Sequence, residues 1–312
     1  MGNYLVTGAA GFIGSKLAER LLSNGHSVTT IDNLSTGYLI NIPKGVRFLE
    51  GNCQDQTLLD QLSGEKFETI FHIAGQSSGE ISFDDPVYDL QTNGQSTLQL
   101  LELCRKTGCK KLIYASSMSV YGKVEDKPID ETQTTNPESF YGVGKLTSEH
   151  YLRIYKQFGI ATASLRLFNT YGPGQNLENL RQGMVSIFLA QALNDRSIHV
   201  KGASDRFRDF VYIDDIVNSF LYTEENIKPN TFSVWNVSTE TRTTVKELVE
   251  MIKKKVGGEI KVKYEGNTQG DQFGIYGDFR LFQEQTGWEP KYTLEKGMEI
   301  MVNWAKEIKK SK

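Results

Sequence analysis

The sequence predicts an α/β fold: a doubly wound parallel sheet followed by a smaller mixed α/β lobe. Three observations support this. A buried strand, a glycine-rich turn and an amphipathic helix open the chain; strands and helices then alternate as far as residue 167; and polar or glycine residues stand at the strand ends. Alternation of this kind is typical of a parallel sheet covered on both faces, whose ligands bind beyond the carboxyl ends of the strands. The first half is therefore expected to be of the Rossmann type.

Length and composition narrow the class of protein. The chain has 312 residues and a formal net charge of −3, so it is long enough for more than one domain and offers no broad basic surface for nucleic acid or lipid. Its three cysteines, Cys53, Cys104 and Cys109, are too few for a disulfide framework and form no C-x-x-C pair that would favour zinc. No apolar run reaches the ~18 residues of a membrane helix. We expect a soluble cytoplasmic protein with no metal site.

The first strand, turn and helix predict a phosphate site. Residues 3–7 are apolar and β-prone, and glycines follow at Gly8, Gly11 and Gly14 before the helical pattern begins. Gly8 permits a tight turn, Gly11 lets the backbone approach a pyrophosphate, and Gly14 lets helix and strand pack closely. The N–H groups at the helix N-terminus then face the anion. The spacing is G-x-x-G-x-x-G rather than G-x-G-x-x-G, so an ordinary glycine-rich turn is the alternative.

The residue at the end of the second predicted strand indicates which dinucleotide binds. Residues 27–31 read as a strand that ends at Asp32. A carboxylate at that point can accept hydrogen bonds from an adenosine ribose and would repel a 2′-phosphate, so NAD is favoured over NADP. Further strands are predicted at 46–49, 69–74 and 111–115, with a long helix at 86–104. Their ends bring four residues to the same edge of the sheet: Asp32, Asn52, Gly75 and Ser117.

A tyrosine and a lysine predict the chemistry. Tyr141 and Lys145 are four residues apart in a helical stretch and so lie on one face. A free phenol has a pKa of ~10, and a nearby ammonium lowers it. Such a tyrosine can take the proton of an alcohol whose carbon gives up a hydride, while Ser117 hydrogen-bonds the reacting oxygen. The same spacing also occurs by chance on surface helices, which is the alternative interpretation.

The sequence resembles the extended short-chain dehydrogenases/reductases, specifically the nucleotide-sugar epimerase/dehydratase group. The resemblance covers nearly the whole chain. Seven motifs carry it, in the family's order: T-G-A-A-G-F-I-G at 7–14, D-N-L-S-T-G at 32–37, F-H-I-A-G-Q at 71–76, A-S-S-M-S-V-Y-G at 115–122, Y-G-V-G-K at 141–145, L-F-N-T-Y-G-P-G at 167–174 and R-D-F-V-Y-I-D-D at 208–215.

The resemblance implies roles for individual residues. Catalysis falls to Ser117, Tyr141 and Lys145, and Lys145 also holds the nicotinamide ribose. The expected NAD contacts are Gly8, Gly11, Phe12, Ile13 and Gly14 at the pyrophosphate, Asp32, Asn33 and Gly37 at the adenosine ribose, Asn52 and Cys53 at the adenine, and Ile73, Ala74, Gly75, Asn93 and Ser116 along the trough. On the substrate side, Asn169 and Arg208 are expected to bind the nucleotide diphosphate together with Ser117. For Arg208 the alternative is an ion pair with Asp209.

The sequence departs from the family's pattern in four places. Asn52 replaces the usual aspartate, with a small expected effect on adenine contact. Met118 and Ser119 stand where the 4,6-dehydratases carry an acidic pair, and the acidic residue that decarboxylases need nearby is not found. Residues 267–271 lack a second arginine, and Arg206 replaces a glutamine. The last two changes lie where the nucleotide should bind, so the usual expectation of UDP is weakened, and GDP, CDP or dTDP sugars remain open.

The prediction is therefore an NAD-dependent enzyme that oxidises carbon 4 of a nucleotide-diphosphate sugar, favoured as a 4-epimerase. The alternatives are a 4-dehydrogenase that releases the keto sugar, with GDP- or CDP-linked substrates, and a non-catalytic NAD-binding sensor. Residues 1–169 are predicted to bind NAD and residues 170–312 to form a substrate lobe interleaved with the sheet. Its helices are expected at 184–193, 213–222, 245–256 and 294–308, and its strands at 233–236 and 261–264. By resemblance a homodimer forms through helices 86–104 and 141–158.

Overall fold

The computed structural model describes residues 1–266 and 272–311. Its strands are β1 (Asn3–Thr7), β2 (Ser27–Asp32), β3 (Arg47–Glu50), β4 (Thr69–His72), β5 (Lys111–Ser117), β6 (Ala161–Leu167), β7 (Asn169–Tyr171), β8 (Ser197–Lys201), β9 (Phe207–Arg208), β10 (Phe210–Tyr212), β11 (Phe232–Val237), β12 (Thr243–Thr244) and β13 (Lys261–Glu265). Its helices are α1 (Phe12–Ser23), α2 (Gln56–Asp60), α3 (Pro86–Leu90), α4 (Ser96–Thr107), α5 (Phe140–Tyr155), α6 (Met184–Asn194), α7 (Ile213–Asn226), α8 (Val245–Val256), α9 (Arg280–Thr286) and α10 (Leu294–Ser311). None of the helices within these ranges is long and apolar enough to cross a membrane.

The central sheet confirms the predicted fold class. Seven parallel strands lie in the order β11-β6-β5-β4-β1-β2-β3. The chain starts at β1, winds outward to β3 and returns to β4 on the other side of β1, so the strand order reverses between β1 and β4. In open parallel sheets the ligand binds at this reversal. Thr7 links the two strand ends, because its Oγ1 accepts the backbone N–H groups of Ile73 and Ala74, each at 3.0 Å.

The second half of the chain contributes to the same sheet. Strand β11 pairs with β6 and forms one edge. Three further two-stranded sheets, β7 with β10, β8 with β13 and β9 with β12, stand apart from it. Helices α6, α7, α8 and α10 and strands β11 and β13 are confirmed within a few residues, whereas α9 and the strands β7 to β10 and β12 were not predicted. The division into residues 1–169 and 170–312 stays a prediction.

The long helix predicted at 86–104 is interrupted. Helices α3 and α4 are joined by a π-helical turn over Gln91–Gln95. Side-chain hydroxyls compete for the carbonyls here: Ser96 Oγ donates to the Thr92 carbonyl, and Thr97 Oγ1 donates to the Asn93 carbonyl at 2.7 Å. Such turns often mark functional positions, and this one lies against α5.

Helix α5 is anchored to the sheet by a buried ion pair. Ser139 caps its start by accepting the Gly142 N–H at 3.1 Å. Two turns further on, Glu149 receives two bonds from the Arg166 guanidinium of β6, at 2.7 and 3.0 Å, and one from the Ser116 hydroxyl of β5 at 2.6 Å. Both charged side chains are buried. The pair therefore fixes the position of α5 along β5 and β6.

Removing Glu149 should show how much this ion pair contributes to anchoring α5. Glu149→Ala leaves the Arg166 guanidinium buried and unpaired, so we expect the free energy of unfolding to fall by about 3–5 kcal/mol. The matched control is Glu250→Ala, which removes an exposed partner of Lys253 on α8 and should cost less than about 1 kcal/mol. Chemical denaturation of the three proteins measures both values. Equal stability losses for the two variants would contradict the anchoring role.

Candidate active site

A single cleft collects most of the predicted site residues. It has a volume of about 730 Å³ and lies at the carboxyl ends of the central strands. Its wall includes residues of the glycine turn, the ends of β2, β4 and β5, the start of α5, and β7 to β9. The predicted residues that line it are Gly8, Gly11, Phe12, Ile13, Gly14, Asp32, Asn33, Gly37, Asn52, Cys53, Ile73, Ala74, Gly75, Ser116, Ser117, Tyr141, Lys145, Asn169 and Arg208.

The glycine turn is shaped for a close approach of backbone groups. Gly8 has a φ of +80°, which favours glycine. A Cβ on Gly14 would collide with the Gly8 carbonyl, so helix α1 can start this close to β1 only without a side chain there. Gly11 stands at the N-cap of α1 and has no side chain to cap it. The N–H groups of the first turn are thus directed at the cleft, where they suit a pyrophosphate.

The carboxylate of Asp32 lies between this turn and the next loop. Its Oδ2 accepts the Ala10 N–H at 2.9 Å and its Oδ1 accepts the Leu34 N–H at 2.9 Å. Each carboxylate oxygen has a further lone pair, so acceptor capacity remains for ribose hydroxyls. Close by, Asn52 Oδ1 accepts from Asn33 Nδ2 at 2.7 Å. The side chain of Asn52, which replaces the family's aspartate, is thus held by Asn33 of the same cleft wall.

Asn93 does not line the cleft, and its role as an NAD contact stays a prediction. It is fully buried behind the floor, in the π-helical turn, and its Nδ2 donates to the Gln76 carbonyl at 3.0 Å. A Cβ on Gly75 would lie 2.5 Å from Asn93 Oδ1. Asn93 therefore supports the segment 75–76 from below. The order of the sequence motifs placed Asn93 near the cleft. How deeply its side chain is buried depends on the conformation of the π-helical turn.

The three predicted catalytic groups meet in this cleft. Ser117 ends β5, and its hydroxyl lies near enough to the Tyr141 phenol to lower the pKa of that phenol. Lys145 lies one turn further along α5, with Nζ 5.6 Å from the centroid of the Tyr141 ring. The same Nζ donates to the Ala115 carbonyl at 2.8 Å and lies 4.7 Å from the centroid of the Tyr114 ring. A phenol, an ammonium and a hydroxyl are thus held together by α5 and β5.

Burial dominates the electrostatics of these groups. It raises the pKa of Tyr141 to about 12, and the negative charge of Asp89 adds to the rise, while the hydrogen bond from Ser117 lowers the pKa. Burial also lowers the pKa of Lys145 to about 8, against the opposing effect of Asp89. The expectation that the pKa of Tyr141 is lowered is therefore wrong for the protein alone. The cost of desolvating a phenolate is larger here than the benefit of an ammonium beyond the ring.

On the substrate side, Asn169 and Arg208 are buried or nearly so. Asn169 Oδ1 has no hydrogen-bond partner among the described residues. The Arg208 guanidinium donates to the carbonyls of Gln272 and Phe273, at 2.6 and 3.2 Å. Asp209, its alternative partner, accepts from Thr239 and from the Gly277 N–H. Residues 267–271, where a second arginine is lacking, lie outside the described residues.

Three glutamates of the cleft wall, Glu80, Glu138 and Glu265, were missed. The expectation that no acidic residue lies nearby is wrong, since Glu80 and Glu138 both line the wall. Glu80 pairs with Lys201 at 3.2 Å, and Glu138 pairs with Lys123 at 3.1 Å. The sequence reasoning considered only the residues directly after Ser117. The position of Glu138, three residues ahead of Tyr141, was the available signal.

A loop of the second half also reaches across the cleft. Gln182 Nε2 donates to Ser77 Oγ at 2.6 Å, and Arg181 pairs with Asp84 at 2.6 Å. Arg206, the residue that replaces the family's glutamine, lines the cleft and donates to the carbonyls of Ala203 and Lys201 in its own loop. The contacts of these segments were not predicted from the sequence.

Comparison with known proteins decides the family. The sequence profile of the NAD dependent epimerase/dehydratase family matches residues 4–238. The chain belongs to this family. It is therefore an NAD-dependent enzyme of the extended short-chain dehydrogenase/reductase class, and the glycine turn and Asp32 fit that cofactor. The described residues contain no group of three or more His, Cys, Asp or Glu that could hold a metal ion.

Several family members are similar over almost their whole length. A UDP-glucose 4-epimerase of Mycolicibacterium smegmatis is 34% identical over 307 residues, which cover 96% of this chain and 97% of the relative. A UDP-glucose 4-epimerase of Thermotoga maritima, solved with UDP-glucose, has a TM-score of 0.94 at 35% identity and covers 98% and 99% of the two chains. A UDP-glucose 4-epimerase of Thermus thermophilus, solved with NAD, has a TM-score of 0.90 at 32% identity, with 97% and 99% covered.

The buried ammonium should make the native enzyme less stable than a neutral variant. The pKa of Lys145 falls from ~10.4 in an unfolded chain to about 8, so folding disfavours the charge by at most ~3 kcal/mol at pH 7. Lys145→Met removes the charge and keeps the length. We expect its melting temperature to exceed that of the wild type by a few degrees at pH 7.

The sign of the pH dependence follows from the same shift. The difference between Lys145→Met and wild type should be full below pH 8, should shrink as pH rises toward ~10.4, and should vanish above that pH, where lysine is neutral in both states. Calorimetry across this range measures it, with the exposed Lys44→Met as control. A variant that melts below wild type at pH 7 would show that the Ala115 bond outweighs the desolvation cost.

Proposed function

We propose that the protein is an NAD-dependent 4-epimerase of a UDP-linked sugar. One observation carries the proposal: Ser117, Tyr141 and Lys145 meet in a cleft whose other end is the glycine turn. UDP as the nucleotide is inferred from the relatives, two of which are named UDP-glucose 4-epimerases at 34% and 35% identity. The chain's own residues support a diphosphate through Asn169 and Arg208 at the cleft wall.

The proposed chemistry uses each residue for one task. Bound NAD would supply the hydride chemistry at carbon 4 of the sugar, as acceptor from one face and donor to the other. Tyr141 takes the proton of the 4-hydroxyl and later gives it back to the same oxygen. Ser117 hydrogen-bonds that oxygen, and Lys145 stabilises the phenolate form of Tyr141 by its charge. The raised pKa of Tyr141 in the protein alone suits a phenol that must keep its proton until the positive nicotinamide ring of NAD⁺ is bound beside it.

The residues after Ser117 support epimerisation over dehydration. Met118 and Ser119 carry no acid that could remove a proton and a water molecule from the keto sugar. Three glutamates that line the cleft, Glu80, Glu138 and Glu265, are engaged in ion pairs with Lys201, Lys123 and Lys263. Asp32, the remaining carboxylate that the described residues bring to the cleft wall, accepts two backbone N–H groups. Proton transfer at carbon 4 therefore falls to Tyr141 and Ser117.

Product analysis tests the proposal. The enzyme is incubated with UDP-glucose, UDP-N-acetylglucosamine and UDP-glucuronate, and the products are identified by NMR while absorbance follows NADH. A new 4-epimer without net NADH supports the proposal. A keto sugar with accumulating NADH would make the protein a 4-dehydrogenase, and a UDP-pentose with loss of carbon dioxide would make it a decarboxylase. No turnover with NAD bound would favour the non-catalytic sensor.

Removal of one hydroxyl tests the proposed base. Tyr141→Phe should lower turnover by about 10²–10⁴-fold, while the affinity for NAD stays within a few-fold, because only the proton-transfer group is lost. Tyr151→Phe on the same helix is the control and should turn over at the wild-type rate. Calorimetric NAD titration and the NMR assay measure the two properties. Wild-type turnover of Tyr141→Phe would remove this residue from the mechanism.

We also infer a homodimer in the cytoplasm. Apolar side chains remain exposed along α3–α4 and α5, among them Val87, Leu90, Leu98, Val143 and Ile154. Faces of this kind commonly mark interaction sites, and two such helices from each copy would form a four-helix interface. The cytoplasm follows from the three cysteines, which are free thiols.

Charge introduced on this face should separate the copies. Leu90→Glu combined with Val143→Glu places carboxylates at the proposed interface, so light scattering should report a dimer for wild type and a monomer for the double variant. Leu281→Glu on α9, an exposed apolar position away from this face, should leave the dimer intact. A monomeric wild type would refute the interface.

A further inference from the structure

Asp89 is a buried carboxylate that the proposed chemistry does not use. It lies in α3 with 1% of its surface exposed. Its Oδ2 accepts from Gln76 Nε2 at 2.9 Å, and its Oδ1 has no hydrogen-bond partner among the described residues. Buried carboxylates are rarely left in this state unless a charge compensates them. The surroundings of Asp89 identify that charge.

The carboxylate packs directly against the catalytic helix. A Cβ built on Gly144 would lie 3.0 Å from Asp89 Oδ1 and 3.1 Å from the Cβ of Asn93, so α3 and the π-helical turn touch α5 at this glycine. The next residue is Lys145. Because Gly144 has no side chain, the Asp89 carboxylate can approach the backbone of α5 at the residue before Lys145.

The groups around Lys145 leave Asp89 as its counter-charge. From β5 it faces the Tyr114 ring and the Ala115 carbonyl, from its own helix Tyr141, and from β4 His72. Burial raises the pKa of Tyr114 far above its usual range and lowers the pKa of His72 to about 3, so neither carries a charge near neutral pH. Burial raises the pKa of Asp89, and the positive charge of Lys145 opposes that rise, so each of the two groups favours the charged form of the other.

We propose that Asp89 is a positioning residue of the reaction, which supplies the buried negative charge that keeps Lys145 an ammonium behind Tyr141. The same charge disfavours a phenolate at Tyr141. Asp89 therefore holds the pair in the state of phenol plus ammonium. Its effect on turnover rests on the proposed function, but its effect on the protonation of Lys145 does not.

Asparagine is a suitable probe because it removes the charge and keeps the shape. In Asp89→Asn the new carbonyl oxygen can still accept from Gln76. Asn93 is the neighbour to which the new amide nitrogen could donate, because Asp89 Oδ1 and the Asn93 Cβ approach the same point beside Gly144. Asn93 Oδ1 also lacks a partner among the described residues. Folding should thus be retained. The control is Asp85→Asn, which changes the exposed N-cap of the same helix, where asparagine caps equally well.

A direct titration tests the proposal without turnover. Lysine labelled with ¹³C beside the ammonium gives an NMR signal that follows protonation, and the Lys145 signal is assigned by its loss in Lys145→Met. In Asp89→Asn the titration midpoint should fall by about one pH unit relative to wild type. In Asp85→Asn it should stay at the wild-type value. Coincident midpoints in all three proteins overturn the proposal.

The pH profile of turnover gives the second test. Loss of the Lys145 proton should set the alkaline limb of kcat/KM, so this limb should move to lower pH in Asp89→Asn by the same amount as the NMR midpoint. A profile that only drops in height, with both limbs in place, overturns the positioning role. If wild type turns over none of the sugars, the proposed function fails, and the NMR titration still decides the role of Asp89.

Discussion

The packing of α5 on β5 is the constraint on which the site depends. Tyr141 and Lys145 project from one face of α5, and Ser117 ends β5, so the three groups meet only if the helix lies at one position along the strand. Apolar packing alone tolerates small shifts, whereas the hydrogen-bonded pair of Glu149 and Arg166 has a defined geometry. A buried ion pair adds little net stability but strongly disfavours arrangements in which it is broken. The helix thus carries both the chemistry and the bonds that align it.

Much of the fold could be predicted from the sequence because its signals are local. A strand, a glycine turn and a helix are read within about 20 residues, and the strand ends follow from the alternation. The misses are non-local. Glu80 and Glu138 reach the cleft through segments with no family motif. Asp89 was missed for the same reason, since only the packing of α3 on Gly144 shows what it faces.

The error about the pKa of Tyr141 has a physical cause. Sequence spacing shows that an ammonium is one helical turn away, and this favours a phenolate. It does not show how completely both groups leave water, and desolvation disfavours the charged form of each. In the structure desolvation wins for both, so the neutral phenol is favoured and the ammonium becomes easier to deprotonate. The pair is therefore tuned by burial first and by charge second.

The partners of Lys145 and Glu149 also explain how α5 is held in position. Lys145 and Glu149 are four residues apart on the buried face of α5, so an i,i+4 ion pair between them would be the simple arrangement. Instead each has its partner on another element: Lys145 bonds to β5 and faces Asp89 of α3, and Glu149 bonds to β5 and β6. A pair within the helix would satisfy both charges wherever the helix lay. Partners on separate elements hold it between the sheet and α3, which is the position that brings Tyr141 to Ser117.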